Sequence, residues 1–225
     1  MYLIVQAGDL SIFKSGEFMK KNNWITVFTA ILLFVLLGLI YKTSMVKTID
    51  DAFFDFFVSV RLDALDSFCY FLRDFGSSKM YLSFAVVLLI FSIIRKRIWT
   101  GIYLLITLLT ARLVVQIVKG IYERPRPAAM YYVEDGFSFP SGHAVMATSF
   151  FLTLSFILII LDTNLLKQRK IIQITALAII VLISFSRIYL HVHHFSDIVA
   201  GWLVGYVWYS ICKNVFIFLH ERKQI

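Results

Sequence analysis

Charged residues are scarce in this chain: Asp, Glu, Lys and Arg make up 16% of its 225 residues, whereas soluble domains carry about 25%. Proline and glycine are also few, with 3 and 10 residues, which excludes collagen-like and Gly/Pro-rich disordered sequences. The 2 cysteines are too few for a disulfide scaffold. Hydrophobic residues, in contrast, make up 60%, so the composition excludes an ordinary soluble protein and favours one that crosses a membrane several times.

Six apolar stretches approach the length that a membrane-spanning helix requires, about 20 residues. They cover residues 24–41, 80–94, 98–118, 144–161, 171–189 and 198–219. We therefore predict an all-α fold, a polytopic membrane protein built as a bundle of six transmembrane helices. The connection 48–78 interleaves aromatic with charged residues, and this mixture predicts an interfacial helix between spans one and two. That helix is interpreted as structural, with a wall for lipid entry as the alternative.

The chain shows no internal repeat, low-complexity tract or Pro/Gly/Ser-rich linker. Residues 19–225 are therefore interpreted as a single six-span domain. Residues 1–18 lack a clear amphipathic period and precede Met19, Lys20 and Lys21, which resemble an ordinary translation start. We interpret residues 1–18 as a leader or an added segment.

Basic residues cluster in alternate connections and give the chain a formal net charge of +8. The clusters are Lys14, Lys20 and Lys21; Arg95, Lys96 and Arg97; Lys167, Arg169 and Lys170; and Arg222 and Lys223. The positive-inside rule places these segments in the cytoplasm, so both termini are expected there. The connections after spans one, three and five then lie on the outer face. No N-x-S/T acceptor is present, which agrees with a bacterial inner (plasma) membrane.

Two of the outer connections gather polar residues that are unusual at a membrane edge. The first runs from Lys119 to Pro127 and is followed by Pro140-Ser141-Gly142-His143 at the start of span four. The second runs from Ser186 to Asp197 before span six. Three cations, two histidines and one carboxylate are thereby brought to one face of the membrane.

The residue types in these connections suit a phosphoryl group. Lys119 offers a point charge, whereas Arg126 and Arg187 offer planar forks that match phosphoryl oxygens. The amides at a helix N-terminus favour an anion, which adds the segment before span four. His193 and Asp197 are four residues apart, so on a helical turn the carboxylate holds one imidazole nitrogen and leaves the other free to attack.

The three blocks resemble the signature of the type 2 phosphatidic acid phosphatase superfamily, which is related to the vanadium haloperoxidases. That signature reads K-x6-R-P, then P-S-G-H, then S-R-x5-H-x3-D, and this chain matches it at every position. The order of the blocks and their placement relative to the spans also resemble the six-span lipid phosphatases of the family. The resemblance extends over residues 24–219.

The resemblance implies a role for each signature residue. His193 is expected to be the nucleophile that forms a phosphohistidine, Asp197 its orienting partner, and His143 the acid and then the base. The phosphoryl oxygens are expected to be held by Lys119, Arg126, Ser141, Gly142 and Arg187. No metal and no cofactor is expected, because the cations supply the charge stabilisation.

Further polar residues lie near the signature. Arg112 is inside span three, two helical turns before Lys119, and an ionisable residue at such a depth is a functional candidate; we interpret it either as a neighbour of the phosphate site or as a partner of a polar group. His191 and His194 are interpreted as helix-end or interfacial residues. A zinc site formed by these two residues and His193 is disfavoured, because their spacing converges poorly.

The leading interpretation is an integral-membrane lipid phosphatase whose active site lies on the outer face. Its substrate is expected to be a polyprenyl diphosphate, phosphatidylglycerol phosphate or phosphatidic acid, and the bilayer is its environment. The alternatives are a lipid A phosphatase or phosphotransferase of the same superfamily and, outside enzymes, a membrane anion transporter. A haloperoxidase is disfavoured because those relatives are soluble. No nucleic-acid partner and no obligate protein partner is indicated.

Overall fold

The computed structural model describes residues 24–128 and 130–222 of the chain. That part contains eight α-helices, one short 3-10 helix over Thr163–Gln168 and no strand, so the predicted all-α fold is confirmed. The helices are α1 (Trp24–Ile40), α2 (Ser44–Ser59), α3 (Asp63–Phe75), α4 (Ser78–Ile94), α5 (Ile98–Tyr122), α6 (Gly142–Leu161), α7 (Arg169–Tyr189) and α8 (Phe195–Arg222). The interpretation of residues 1–18 falls outside the described residues, as do the basic residues Lys14, Lys20, Lys21 and Lys223.

Four helical stretches in the described part are long and apolar enough to cross a membrane alone: Ile98–Tyr122, Gly142–Leu161, Asn164–Tyr189 and Phe195–Leu219. Two further spans reach that length only as bent pairs, α1 with α2 at 94° and α3 with α4 at 51°. α1 and α4 have 17 residues each, which gives a length of about 26 Å, short of a hydrocarbon core of about 30 Å. Each of the first two predicted spans therefore reaches the length of a membrane crossing only together with the helix beside it in sequence, to which it is joined at a bend.

The connection predicted over residues 48–78 is divided into two helices. α2 ends at Ser59, and the backbone at Leu62 is extended before α3 begins. The hydroxyl of Tyr189 on α7 accepts the amide of Leu62 at 3.3 Å and lies 2.6 Å from a carboxylate oxygen of Asp66. This contact attaches the break to the end of α7, close to the third motif.

α6 is the central helix of the bundle. It carries no Asp, Glu, Lys or Arg and is buried along most of its length, as expected of a helix that is apolar all round. α8 approaches it closely at Gly201 and Gly205, since a Cβ atom built at Gly205 would lie 2.7 Å from Cβ of Thr148. Small residues at this spacing let helix backbones meet in a membrane. The first turns of α6 and α8 are also joined directly, because the amide of Ser141 donates to the carbonyl of Asp197 at 3.0 Å.

The loop between α5 and α6 is anchored at both ends. The amide and the hydroxyl of Ser138 donate to the carbonyl of Arg124, at 2.8 and 3.2 Å. Phe139 is completely buried, and its ring stacks on Tyr41 at 5.3 Å and lies 4.8 Å from the ring of Tyr122. These contacts hold the first two motifs at the same edge of the bundle.

Candidate active site

A cavity of about 980 Å³ opens beside the first turn of α6. Its walls come from α5, the α5–α6 loop, α6 and the junction between α3 and α4. Five residues of the predicted site line it: Lys119, Arg126, Gly142, His143 and the candidate neighbour Arg112. A concave site of this size suits a ligand much larger than one phosphate group.

His193 and Asp197 form the predicted pair. Nδ1 of His193 lies 3.3 Å from Oδ2 of Asp197, and Nε2 lies 3.3 Å from Nη1 of Arg126. An ionised carboxylate only accepts hydrogen bonds and a guanidinium only donates them. Nδ1 therefore holds the proton, and Nε2 presents its lone pair.

The surroundings of His193 keep its ring neutral. Burial lowers the pKa of His193 well below its ordinary value, and the charges of Lys119, Arg126 and Arg187 lower it further. A neutral imidazole with one unprotonated ring nitrogen is the form that a nucleophile requires.

Asp197 has a second partner that the sequence did not indicate. Its Oδ1 accepts a hydrogen bond from Nη1 of Arg124 at 2.7 Å, and Nη2 of Arg124 donates to Oδ2 of Asp50 on α2 at 2.8 Å. Asp50 also accepts the amide and the hydroxyl of Ser196, both at 2.8 Å. All of these residues are buried, so a continuous chain of hydrogen bonds runs from α2 through Arg124 and Asp197 to His193.

Glu134 of the α5–α6 loop places a carboxylate among the cations. Oε1 accepts from Nη2 of Arg126 at 3.2 Å, while Oε2 accepts from Nη2 of Arg187 and from the hydroxyl of Tyr132, the latter at 2.6 Å. Burial by itself raises the pKa of Glu134, but the charge of Arg187 and the bond from Tyr132 outweigh it and bring the pKa to about 2. The two guanidinium groups thus converge on one anion, here a carboxylate.

Arg187 is completely buried, and only some of its hydrogen-bond donors have a partner. Its Nη2 bonds to Tyr132 and Glu134, whereas Nε and Nη1 have no hydrogen-bond partner among residues 24–128 and 130–222. A buried donor without an acceptor costs about 1–3 kcal/mol, and more when it is charged. These donors mark a position where further acceptor oxygens are needed.

Arg126 is held in place by backbone. Its Nη1 donates to the carbonyl of Val192 at 2.8 Å and its Nε to the carbonyl of Gly136 at 3.0 Å. The ammonium group of Lys119, which also lines the cavity, donates to the carbonyl of Phe137. Both cations therefore face the cavity from fixed positions.

His143 stands at the start of α6. Its Nε2 lies 3.2 Å from the carbonyl oxygen of Arg73, and because a carbonyl only accepts, Nε2 carries a proton and Nδ1 is the nitrogen left to exchange one. Ser141 is completely buried and does not line the cavity; its hydroxyl accepts the amide of Ala144 at 3.5 Å as the N-cap of α6. Its contact with phosphate stays a prediction.

Arg112 lies in the wall of the same cavity, on the face of α5 that also carries Lys119. The two extra histidines have other surroundings. The ring of His191 packs against Phe54 at 3.9 Å and Tyr131 at 4.5 Å, and the backbone amide of His194 donates to Oδ2 of Asp197 at 2.9 Å. Both arrangements support structural roles.

Across the described ranges, no group of three or more His, Cys, Asp or Glu side chains is arranged to hold a metal ion. The three neighbouring histidines do not converge, since His191 faces aromatic rings and His193 faces Asp197 and Arg126.

Sequence reasoning missed three residues of the site. Arg124 carried one available signal, because it forms an Arg-Pro-Arg-Pro run with Arg126. Asp50 was one of several acidic residues in the segment 48–78, and Glu134 was a polar residue in a loop. Only the fold brings the last two beside the motifs.

Comparisons with known proteins point in one direction. The sequence model of the PAP2 superfamily matches residues 100–220. Phosphatidylglycerophosphatase B of Bacillus subtilis is 30% identical over 184 residues, which are 81% of this chain and 91% of the relative. The undecaprenyl-diphosphatase of Sulfolobus acidocaldarius is 30% identical over 152 residues, 64% of this chain and 68% of that relative.

A solved structure is similar over nearly the whole chain. It is the crystal structure of a transmembrane PAP2-type phosphatidylglycerolphosphate phosphatase from Bacillus subtilis, with a TM-score of 0.81 and 27% sequence identity. The match covers 88% of this chain and 96% of that one. The bundle and the order of its helices are therefore shared with a protein of known structure.

Proposed function

This chain belongs to the PAP2 superfamily and is a multi-pass membrane lipid phosphatase, and on that premise we propose that it acts through a phosphohistidine at His193 and without a metal ion. The resemblance predicted from the three motifs is confirmed by the matches. The transporter alternative is set aside, because the matched relatives are named as phosphatases. The chain is accordingly a phosphoric ester hydrolase.

The arrangement around His193 supports this mechanism most directly. Its proton is on the nitrogen that faces Asp197, and its lone pair is on the nitrogen that faces Arg126. Buried donors of Arg187 without partners lie in the same cluster. A nucleophile and a set of unsatisfied cationic donors thus meet where a phosphoryl group would bind.

In the first step, Nε2 of His193 attacks the phosphorus atom. A P–N bond forms as the P–O bond to the lipid, or to the remaining phosphate of a diphosphate, breaks. Asp197 stabilises the positive charge that develops on the ring. A proton held on Nδ1 of His143 passes to the leaving oxygen.

In the second step, water attacks the phosphohistidine. Nδ1 of His143 takes one proton from that water, the P–N bond breaks, and inorganic phosphate leaves. His193 regains its lone pair, so the cycle closes with one water consumed.

The charge of the transferred phosphoryl group is met by protein cations. Lys119, Arg126 and Arg187 surround the position, and the amide of Gly142 at the N-terminus of α6 adds a donor. These groups supply the electrostatic stabilisation that metal ions supply in other phosphoryl-transfer sites. This supports a reaction that proceeds without a metal.

The two relatives support a substrate with a lipid-linked phosphate. One is named for phosphatidylglycerol phosphate and the other for undecaprenyl diphosphate. For this chain we infer phosphatidylglycerol phosphate or a polyprenyl diphosphate, with phosphatidic acid as the simplest alternative.

Two basic segments, residues 95–97 and residues 167–170, support the placement of the site on the outer face of a bacterial inner membrane. Nη1 of Arg97, in the turn between α4 and α5, donates to the carbonyl of Leu161 at 3.0 Å, so this turn and the basic segment after α6 share one end of the bundle. The cavity lies at the other end, beside Lys119 and Gly142. With the basic end in the cytoplasm, the site faces outward.

Phosphate release from a panel of lipid phosphates, in detergent with EDTA present, tests the mechanism. We expect turnover by the natural sequence, loss of turnover in His193→Ala, and an acid-labile phosphoenzyme only when His193 is present. The matched control is His194→Ala, which removes the adjacent imidazole and is expected to keep activity within a few fold. Equal turnover by His193→Ala would defeat the phosphohistidine, and loss of activity with EDTA would defeat the metal-free reaction.

A further inference from the structure

The cavity continues past the proposed phosphoryl site to two more cations. Arg112 of α5 and Lys79 of α4 both line it, together with Gln116. Neither cation makes a hydrogen bond or an ion pair through its side chain within residues 24–128 and 130–222. Three carboxylates share the cavity. Asp74 pairs with Arg73 at 2.8 Å, Glu134 binds the arginines of the phosphoryl site, and Asp135 forms no ion pair with Arg112 or Lys79.

The two cations lie at the same depth. α4 and α5 are consecutive helices that run in opposite directions and are joined by the short turn at 95–97. Counted from Ile94 and Ile98, Lys79 and Arg112 both lie about 21–23 Å from that turn. Lys119 lies two helical turns further along α5, about 10 Å beyond Arg112. The cavity therefore has two levels of positive charge, an outer level at Lys119 and a deeper level at Arg112 and Lys79.

A cation at the deeper level needs water or an anion. An arginine within a membrane-spanning helix is expensive unless it faces a cavity or a partner, and Arg112 faces a cavity without a protein counter-ion. The lipid substrate enters with its tail toward the bilayer centre and its terminal phosphate toward the outer face. Any second phosphate, nearer to the tail, then lies deeper than the reacting one.

We propose that Arg112 and Lys79, with Gln116 between the levels, form a subsite for the phosphate that adjoins the lipid. The subsite rests on the proposed function and names its substrate class: lipids whose headgroup carries two phosphate groups. A glycerol bridge, as in phosphatidylglycerol phosphate, separates the two groups further than the single bridging oxygen of a diphosphate. The separation of about 10 Å between levels suits the glycerol bridge better.

The subsite is measured by comparing two substrates with identical acyl chains, phosphatidylglycerol phosphate and phosphatidic acid. The quantity compared is kcat/KM for phosphatidylglycerol phosphate divided by kcat/KM for phosphatidic acid. Phosphatidylglycerol phosphate carries the second phosphate and phosphatidic acid does not. We expect Arg112→Met to lower the ratio by about 10- to 100-fold, the range for losing one hydrogen bond to a charged group, and Lys79→Met to lower it in the same direction. Arg112→Lys keeps the charge and is expected to recover part of the loss.

Lys42→Met is the matched control. Lys42 follows α1 on the same side of the bundle and lies over the ring of Tyr41 at 5.5 Å, and it is not among the residues that line the cavity. Its removal is expected to leave the ratio unchanged. A polyprenyl diphosphate, compared with its monophosphate, forms a second arm in which we expect a smaller effect of Arg112→Met.

An unchanged ratio in folded Arg112→Met would overturn the subsite, whether the two activities stay level or fall by the same factor. If Arg112→Met does not accumulate as folded protein, Lys79→Met decides, and an unchanged ratio in that variant rejects the proposal. Failure of the proposed function is a separate result, since His193→Ala would then hydrolyse both substrates.

Discussion

At the scale of single residues, the most informative side chain is Arg124. It holds the carboxylate of Asp197, and Asp197 in turn orients the proposed nucleophile His193. Its guanidinium group joins Asp197 to Asp50 through bonds of 2.7 and 2.8 Å in a buried setting. Arg124 touches no reacting atom, so it is a positioning residue. The hydrogen bond to Asp197 is the contact through which Arg124 acts on His193.

We expect Arg124→Met to lower kcat by roughly 10- to 100-fold, the range for losing one hydrogen bond to a charged group, with little change in KM. Without the positive charge of Arg124, the negative charge of Asp197 is less compensated. The pKa of His193 is therefore expected to rise and the acid limb of kcat/KM to move to higher pH. The pH profile distinguishes this positioning role from a loss of folding.

The double variant Asp50→Asn with Arg124→Met serves as the charge-matched control. It removes one negative and one positive charge, and it is expected to restore thermal stability lost in the single variant without restoring kcat. A single variant with normal kcat and an unshifted acid limb would contradict the positioning role.

Glu134 gives a second prediction at this scale. Glu134→Gln keeps the shape of the side chain but removes the charge that Arg126 and Arg187 now hold. We expect inorganic phosphate to inhibit the variant on the order of tenfold more strongly, which corresponds to about 1.4 kcal/mol. Because the pKa of Glu134 is about 2, the carboxylate is ionised at every assay pH, and the difference is expected to persist between about pH 5 and pH 8.

Asp135→Asn is the control, since it removes a charge from the same loop and the carboxylate of Asp135 forms no ion pair with either arginine. Equal inhibition of Glu134→Gln and the natural sequence by phosphate would show that the carboxylate does not compete for the anion site.

The residue types of the site were predictable, but their contacts were not. Motif spacing indicated that Lys119, Arg126 and His193 share one face, because helix periodicity and the order of spans fix that placement. The same spacing could not indicate that Arg124 turns toward Asp197 while Arg126 turns toward the cavity. That choice depends on the fold of the α5–α6 loop, which Ser138 closes onto the backbone of Arg124.

At the scale of helices, the contact between α6 and α8 sets the relative position of two motifs. Gly205→Ala would place a Cβ atom 2.7 Å from Cβ of Thr148 and 2.9 Å from the carbonyl oxygen of Val145. Overpacking of this kind costs about 1–3 kcal/mol, and for a chain of this size each kcal/mol lowers the Tm by about 2–4 °C. We therefore expect a clear drop in the Tm measured in detergent.

Gly120→Ala on α5 is the matched control for stability, since a Cβ atom built there meets nothing within 4 Å. An alanine in a helix interior is favoured over glycine, so its Tm is expected to stay level or rise. If both variants melted at the same temperature as the natural sequence, the close approach of α8 to α6 would not contribute to stability.

Helix lengths were predicted well where one helix crosses the membrane alone. α6 and α8 coincide closely with the predicted apolar stretches at 144–161 and 198–219, because run length alone determines them. The bends of 94° and 51° were not predictable from run length. They depend on contacts between distant parts of the chain, such as Tyr189 with Leu62 and Arg124 with Asp50.

At the scale of the whole molecule, charge distribution predicts how the bundle sits in the membrane. In a background without Cys69 and Cys212, Asp135→Cys is expected to react with a membrane-impermeant maleimide in intact cells. Lys167→Cys, in the segment between α6 and α7, is expected to react only after permeabilisation. The reverse pattern would invert the orientation and place the site in the cytoplasm.

The α5–α6 loop gives the bundle one more property. Glu134 is joined covalently to the anion site, so it behaves as a tethered competitor with a local concentration on the order of millimolar. A terminal phosphate monoester, with a charge of about −1.5 to −2, displaces one carboxylate readily. The phosphodiester of an ordinary membrane phospholipid carries a single negative charge and is expected to displace the carboxylate less readily. We expect the loop to act as a filter. Glu134 would keep the phosphodiester headgroups of abundant phospholipids from binding to Arg126 and Arg187.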